Sequence, residues 1–514
     1  MHALLLAATL AQATPPASSL TLSATSVNLN PAQQQVVTVA GAAPPLQVAL
    51  DRRLVNVEVS PDGSTITVTA TQATGSDVLH VVDAAGAQAD VSIRVAFNAG
   101  TIVPQQTLRV TGDPADPQWL AQEVQNAVLR ATKAQPDSTV TLGATPAISS
   151  ALAPGESTQV EVPVQIAGHG RYFDQSGATV VNIENVAASP FQPGILFYSD
   201  DPEHVTQDGL LFRGTVTTAT PARLYYYHDD AQDPRRLVVL LSGAADEPAS
   251  VQVVGTRAGP NMDVMHVGHT VSKNFLLTKT HHEGLIVDLS PDDPFVLADV
   301  PMSARQLVAG NVDVRVLSGG PVTVAVVAAS PGVDPRTLLG GPQLPDDGHH
   351  RTGTFQIAAY GNEALNYMVG GADPTVVIGD TDPTPPSADP QGQGHDYGDY
   401  GVVHTIDVTM RNPAAEPATA YLYFKPLAGP ARASFLLDGN LIELGCVRVS
   451  APYQISSVNL APGESYRGTL LTMPDGGSFF PTEIGITATP PQPHAPPISA
   501  PDGCFPKPDA GQSP

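Results

Sequence analysis

Two stretches of this chain each carry an alternating or solidly apolar run, a small-residue turn and a second run, and both break at the same tripeptide. Leu237 to Val254 reads LVVLLSGAADEPASVQVV, and Ile406 to Phe424 reads IDVTMRNPAAEPATAYLYF. The breaks carry Glu247-Pro248-Ala249 and Glu416-Pro417-Ala418. Period-two alternation with proline confined to the turn reads as a β-hairpin, so the chain is expected to fold as a string of β-rich modules. The recurring residues are turn formers and strand formers. They serve folding rather than chemistry.

Length and composition fit that reading. At about 100–200 residues per domain, the 514 residues suggest several domains. Fifty prolines and 45 glycines are scattered along them, which suits short strands joined by turns. The net charge of −25 repels phosphate backbones, so no nucleic-acid partner is expected. No apolar run approaches the roughly 18 residues of a membrane-spanning helix.

Compartment is read from two features. Ala3 to Ala11 (ALLLAATLA) has the length of a signal-peptide core, and Ala11-Gln12-Ala13 fits a small-x-small cleavage site. No Lys or Arg precedes the run, and the segment is shorter than usual. Residues 1–13 are read as a signal peptide, which places the protein in the periplasm, at the cell surface or outside the cell. Cys446 and Cys504 are the two cysteines; an oxidising compartment would let one bridge tie the C-terminal tail down.

The chain divides as follows. Residues 20–98 read as a small sandwich, with Val/Ile/Thr-rich segments at short intervals. Residues 101–143 read as a β-α-β connector. Its helix is Asp116–Gln135, with Leu120, Val124, Val128 and Leu129 on one stripe and Asp116 as cap. Residues 144–221 are β-rich and open on LAPGES at Leu152, a turn that recurs at Leu460. A β-sandwich is expected over 222–340. Residues 341–399 read as a loop-rich linker holding one hairpin (TGTFQIAAYGN with LNYMVGG). A last sandwich covers 400–489, and 490–514 is a Pro-rich tail.

The stretch QQVVTVAG, VNVEVSPDGSTITVTATQATGSDVLHVVDAAGAQADVSIRV in the first module resembles bacterial immunoglobulin-like domains. It is also similar to the N-terminal β-module of some pilus-assembly secretins. GVVHTIDVTMRNPAAEPATAYLYFKPLAGPARASFLLDG resembles a segment of uncharacterised exported bacterial proteins. The resemblance implies spacers or assembly surfaces and assigns no site residue.

Candidate chemistry is sparse. His266 and His269, and His281 with Glu283, flank NFLLTK, which reads as a strand. Imidazole and carboxylate suit zinc. On a strand His281 and Glu283 share a face as i and i+2, whereas His266 and His269 point apart. The acidic loop of Asp380, Asp382, Asp389, Asp396 and Asp399 offers oxygens to calcium but lacks EF-hand spacing, and it reads as an exposed loop. Tyr225-Tyr226-Tyr227 reads as core and edge packing. There is no G-x-S-x-G and no phosphate-binding glycine loop.

The expectation is a mainly β protein of tandem immunoglobulin-like sandwiches with one β-α-β connector. It would be exported and non-enzymatic, a scaffold, adhesin or binding module with a protein or glycan partner and no cofactor. The alternatives are a secreted hydrolase or metal-dependent protein with a site between modules, using zinc or calcium, and a secretion or pilus accessory. Intact-mass measurement with and without reductant, followed by peptide mapping, should find Cys446 joined to Cys504. Two free thiols in fresh, non-reduced protein would remove this argument for an oxidising compartment.

Overall fold

The computed structural model describes residues 19–493, except 145–146, 231–232, 246, 291–292, 357, 381–395 and 450. The signal-peptide stretch and most of the Pro-rich tail, Cys504 included, lie outside the described residues. The chain forms two compact units. Of the described residues, the first holds those within 1–106, 123–146 and 160–181, and the second holds the others.

The first unit contains a two-sheet sandwich. One sheet runs Thr21–Leu22, Gln34–Ala40, Thr65–Ala70, Val55–Val59, and the other Ser26–Leu29, Gln88–Val95, Gly75–Val82, Gln47–Leu50. Thr65–Ala70 shows why this sequence folds so: Ile66, Val68 and Ala70 are buried while the threonines between them are not. One face of each sheet is thereby committed to the shared core of Val37, Leu79, Val91 and Ile93.

The second unit is built from two further sandwiches. In the first of these, the sheet Gly209–Val216, Val322–Ala329, Arg235–Gly243, Phe295–Met302 is separate from a longer sheet. The longer one includes Gly284–Leu289, Ala249–Asn261, Leu307–Gly319, Ala222–Asp230, Ile195–Ser199 and Thr352–Phe355 in that order. The last sandwich sets Ala359–Met368, Val403–Arg411, Ser465–Thr472, Ala431–Leu437, Asn440–Val447 against Thr375–Ile378, Thr482–Thr487, Ala418–Pro426, Tyr453–Leu460. Its core includes Ile406, Leu422, Phe435 and Ile484.

Neither Glu-Pro-Ala unit is a hairpin. Arg235–Gly243 pairs with Val322–Ala329 and Phe295–Met302, whereas Ala249–Asn261 pairs with Gly284–Leu289 and Leu307–Gly319. Val403–Arg411 and Ala418–Pro426 likewise belong to different sheets. Both units are arches that carry the chain across a sandwich. Alternation reports which face of a strand is buried, not which strand lies beside it, so arch and hairpin look alike in sequence.

The hairpin expected within 341–399 is also absent among the described residues. Thr352–Phe355 pairs with Ile195–Ser199, and Ala359–Met368 runs parallel to Val403–Arg411. This stretch joins one sandwich to the next, adding Thr352–Phe355 to the long sheet and Ala359–Met368 and Thr375–Ile378 to the two sheets of the last sandwich.

The LAPGES repeat has a shared local structure. Gly155 and Gly463 take positive φ in the turn, as the Pro-Gly step requires. Their N–H groups donate to the carbonyls of Asn185 (2.7 Å) and Asn412 (2.8 Å). Each buried asparagine returns its side-chain amide, Asn185 to the Leu152 carbonyl (2.7 Å) and Asn412 to the Leu460 carbonyl (3.1 Å). In each copy the glutamate carboxylate accepts from the backbone N–H three residues earlier, Ala153 and Ala461.

There are two α-helices among the described residues, α1 (Pro117–Ala131) and α2 (Val264–Thr280). On α1, Leu120, Val124 and Val128 are buried as expected, but Leu129 is 46% exposed. Helix α2 covers His266, His269 and the NFLLTK segment read as a strand. Asp263 caps it, its carboxylate accepting from His266 N–H. It carries no clean apolar stripe because it is covered on several sides. Val267 and Val271 pack with Leu196, Tyr225, Tyr227 and Leu307, and Phe275 and Leu276 pack with Val403, Leu436 and Met473. A side chain at Gly268 would overlap the Gly476 backbone.

Under the helix lies a buried ion cluster. Arg223 is 0% exposed and Asp313 1%. Arg223 donates to Asp313 (2.6 and 3.2 Å) and to the carbonyls of Ala358 (2.8 Å) and Gly401 (2.9 Å). Lys279 of α2 reaches Asp313 at 2.8 Å. Burial would raise the Asp313 carboxyl, but the two cations hold it below its ordinary value. Removing one partner strands the other without water. Arg223→Met should therefore lower the unfolding free energy of the second unit by about 3–5 kcal/mol in urea titration. Arg223→Met/Lys279→Met/Asp313→Leu, which removes the whole cluster, should recover much of that loss; equal loss in both variants would show that the ion cluster is not the cause.

Candidate functional site

Polar residues collect where three neighbouring strands of the long sheet end. Ile195–Ser199 runs parallel to Ala222–Asp230 and antiparallel to Thr352–Phe355, with Ser199 opposite both Tyr226 and Thr352. The C-terminal ends of the first two and the start of the third therefore share one edge. Onto it fall Asp200, Asp201, Glu203 and His204, then His228 and Asp229, then Asp346, Asp347, His350 and Arg351.

Hydrogen bonds tie most of these together. His350 places Nδ1 2.7 Å from Asp347 and Nε2 2.8 Å from Glu203. His204 Nδ1 lies 2.8 Å from Asp229. His228 is fully buried between Ser199 Oγ (2.8 Å) and the Pro202 carbonyl (2.9 Å). Burial pushes its imidazole down to about 4, so it is neutral at physiological pH. Burial also raises the Asp201 and Glu203 carboxyls. Asp347 goes the other way: burial would raise it, but the His350 and His349 N–H groups and the His350 ring hold it well below the usual carboxylate range.

Carboxylates are crowded here. Asp201, Asp346 and Asp347 each bring an oxygen within 4.8 Å of the other two, and Glu203, His204 and Asp229 form a second such group. Two like charges that close repel by about 3 kcal/mol at an effective dielectric near 20. Asp200 extends the cluster towards Arg351, whose Nη1 lies 3.9 Å from Asp396. Burial, and then the neighbouring Asp399, push the Asp396 carboxyl well above its ordinary range.

Residues singled out in the sequence fare differently. Asp396 and Asp399 are fully buried, so that part of the acidic loop is not an exposed loop. Asp399 accepts from Gly379 N–H (3.1 Å) and faces His404 at 3.4 Å. Asp382 and Asp389 lie outside the described residues. His281 is exposed at the end of α2, while Glu283 is buried and accepts from Asp116 N–H (2.7 Å), fastening the start of α1. His266 and His269 are one helical turn apart, not on a strand. His269 is already held by Asp475 (2.7 Å) and Glu443 (3.0 Å). The structure does not bring these four together. All three tyrosines of Tyr225-Tyr226-Tyr227 are buried, because both faces of their strand are covered.

Sequence reasoning missed Asp200-Asp201, Glu203-His204, Asp346-Asp347 and His350. A signal was present: Asp-Asp recurs three times with a histidine close by, at 200–201, 229–230 and 346–347. Only pairing order shows that the three doublets meet.

Cys446 is disulfide-bonded, and no described cysteine is free. The chain's other cysteine, Cys504, lies outside the described residues.

No family model matches the chain, and no curated protein matches it. Similar solved structures include the tandem Ig repeats of Dlar, at 8% identity over 32% of this chain and 98% of that one, TM-score 0.13. The adhesin InvE of Yersinia pseudotuberculosis is 12% identical over 37% and 70%, TM-score 0.14. The Bacteroides ovatus mixed-linkage glucan utilization protein SGBP-B, solved with a heptasaccharide, is 9% identical over 59% and 72%, TM-score 0.14. Likeness at these scores decides nothing about function.

The His269 cluster gives a pH dependence. Burial alone would depress the imidazole, but Asp475 and Glu443 outweigh it and raise it to about 9. Its stabilisation is then fully present below the unfolded value near 6.5 and lost as pH rises towards 9. The resistance of the second unit to urea should fall as pH rises over that window, and His269→Gln should flatten the dependence. An unchanged slope in the variant would refute this.

Proposed function

We propose that the chain is an exported, non-enzymatic binding or scaffold protein of tandem β-sandwich modules, acting on a protein or glycan partner. The supporting observation is architectural: the described residues form tandem β-sandwiches whose strands alternate buried and exposed positions, and four histidines have both ring nitrogens hydrogen-bonded within the fold. His80 faces Asp90 and Asp51, His228 faces Ser199 and Pro202, His269 faces Asp475 and Glu443, and His350 faces Asp347 and Glu203.

Export rests on the apolar stretch before Ala13 and on the bonded state of Cys446. Cell fractionation with N-terminal sequencing tests it. The expected result is recovery from the envelope or the medium with the first 13 residues removed. The same preparation, offered a panel of ester, peptide and glycoside substrates, should turn over none of them, while envelope extract or a glycan array should give saturable retention. Cytoplasmic recovery with Met1 intact would refute export, and turnover abolished by His228→Asn or His350→Asn would refute the non-enzymatic reading.

A further inference from the structure

Two loops converge beside the paired strands Ile195–Ser199 and Thr352–Phe355. One brings Asp201, and the other Asp346 and Asp347. We propose that these three carboxylates form a binding site for a hard divalent cation of the calcium class.

The geometry is the first support. One carboxylate oxygen from each residue lies within 4.8 Å of the other two, a span that a single ion with metal–oxygen distances of about 2.3–2.6 Å can bridge. The second support is independent of the crowding. Asp201 is 1% exposed, and its Oδ1 accepts from Asp347 N–H at 2.8 Å, but its Oδ2 has no hydrogen-bond partner. The preceding carboxylate repeats the pattern, with Asp200 Oδ1 buried and unpartnered. A buried carboxylate oxygen without a donor loses its hydration and gains nothing in return, unless a cation supplies the missing contact.

The donor set selects the ion. All three groups are carboxylates, which suit calcium, whereas zinc favours imidazole and thiolate. The nearest imidazole, His350, is not available as a ligand. Its Nδ1 is on Asp347 and its Nε2 on Glu203. Its ring bonds to Asp347 Oδ2 and so orients that carboxylate, as an outer-shell partner does. Asp346 is exposed, so an ion reaches the site from solvent, and water completes its coordination.

The test uses the full chain, stripped with chelator and titrated calorimetrically with calcium chloride, with thermal unfolding followed in parallel. One saturable site and a rise in unfolding temperature are expected. Asp346→Asn, an exposed change that leaves packing intact, and Asp201→Asn should each weaken calcium binding at least tenfold. Asp288→Asn, in an exposed carboxylate paired with Arg109, should leave it unchanged. Absence of saturable heat would overturn the site. So would affinity unaltered by Asp346→Asn, or zinc displacing calcium at equal concentration.

Discussion

The second unit depends on one buried charge. Arg223 sits with no solvent exposure in the middle of a long sheet and spends its guanidinium on three separate parts of the chain. Asp313 is its neighbour in the same sheet, Lys279 comes from α2, and the carbonyls of Ala358 and Gly401 belong to segments on either side of the Ala359–Met368 strand. Desolvating such a group is tolerable only if every donor finds an acceptor. The ring of Phe275 on α2 lies 4.7 Å from the guanidinium. The sheet, the helix and the entry to the last sandwich are thus held in one register by a group that cannot let go of any of them cheaply.

Helix α2 turns that anchor into a wedge. Its first half packs on the tyrosines of the long sheet, and its second half packs on residues of the last sandwich. Gly268 lets its backbone approach Gly476, and His269 meets Asp475 one residue before that glycine. Three kinds of contact meet on one helix: apolar packing, close backbone approach and a charged hydrogen bond. Their coincidence explains why its residues look neither like an amphipathic helix nor like a strand.

The same economy appears in the repeats. The Glu-Pro-Ala arches cross a sandwich twice, and the LAPGES turns are clasped twice by a buried asparagine. These are solutions to a backbone problem, since a chain leaving one sheet for another must satisfy its carbonyls and amides on the way. The acidic edge is a different case. Its three carboxylates each accept backbone N–H groups of the loops that carry them, yet they lie within 4.8 Å of each other, and the cost of their repulsion is why that edge reads as a place for a ligand.

The sequence by itself determined that the chain is mainly β, organised in tandem sandwiches, with alternation marking the buried faces of Thr65–Ala70 and Ser157–Ala167. It also located α1, whose stripe and Asp116 cap are local signals. Tertiary structure alone decided the rest. Period-two alternation is a property of one strand and is blind to its neighbour, so both arches read as hairpins. Helix α2 is buried on several sides, so its periodicity is masked. His266 and His269, and His281 with Glu283, read as pairs flanking a strand, yet that segment is a helix, with His281 as its cap. The acidic doublets at 200–201, 229–230 and 346–347 looked unrelated. Parallel and antiparallel pairing of three strands brings them to one edge, and pairing is a long-range choice that no local pattern records.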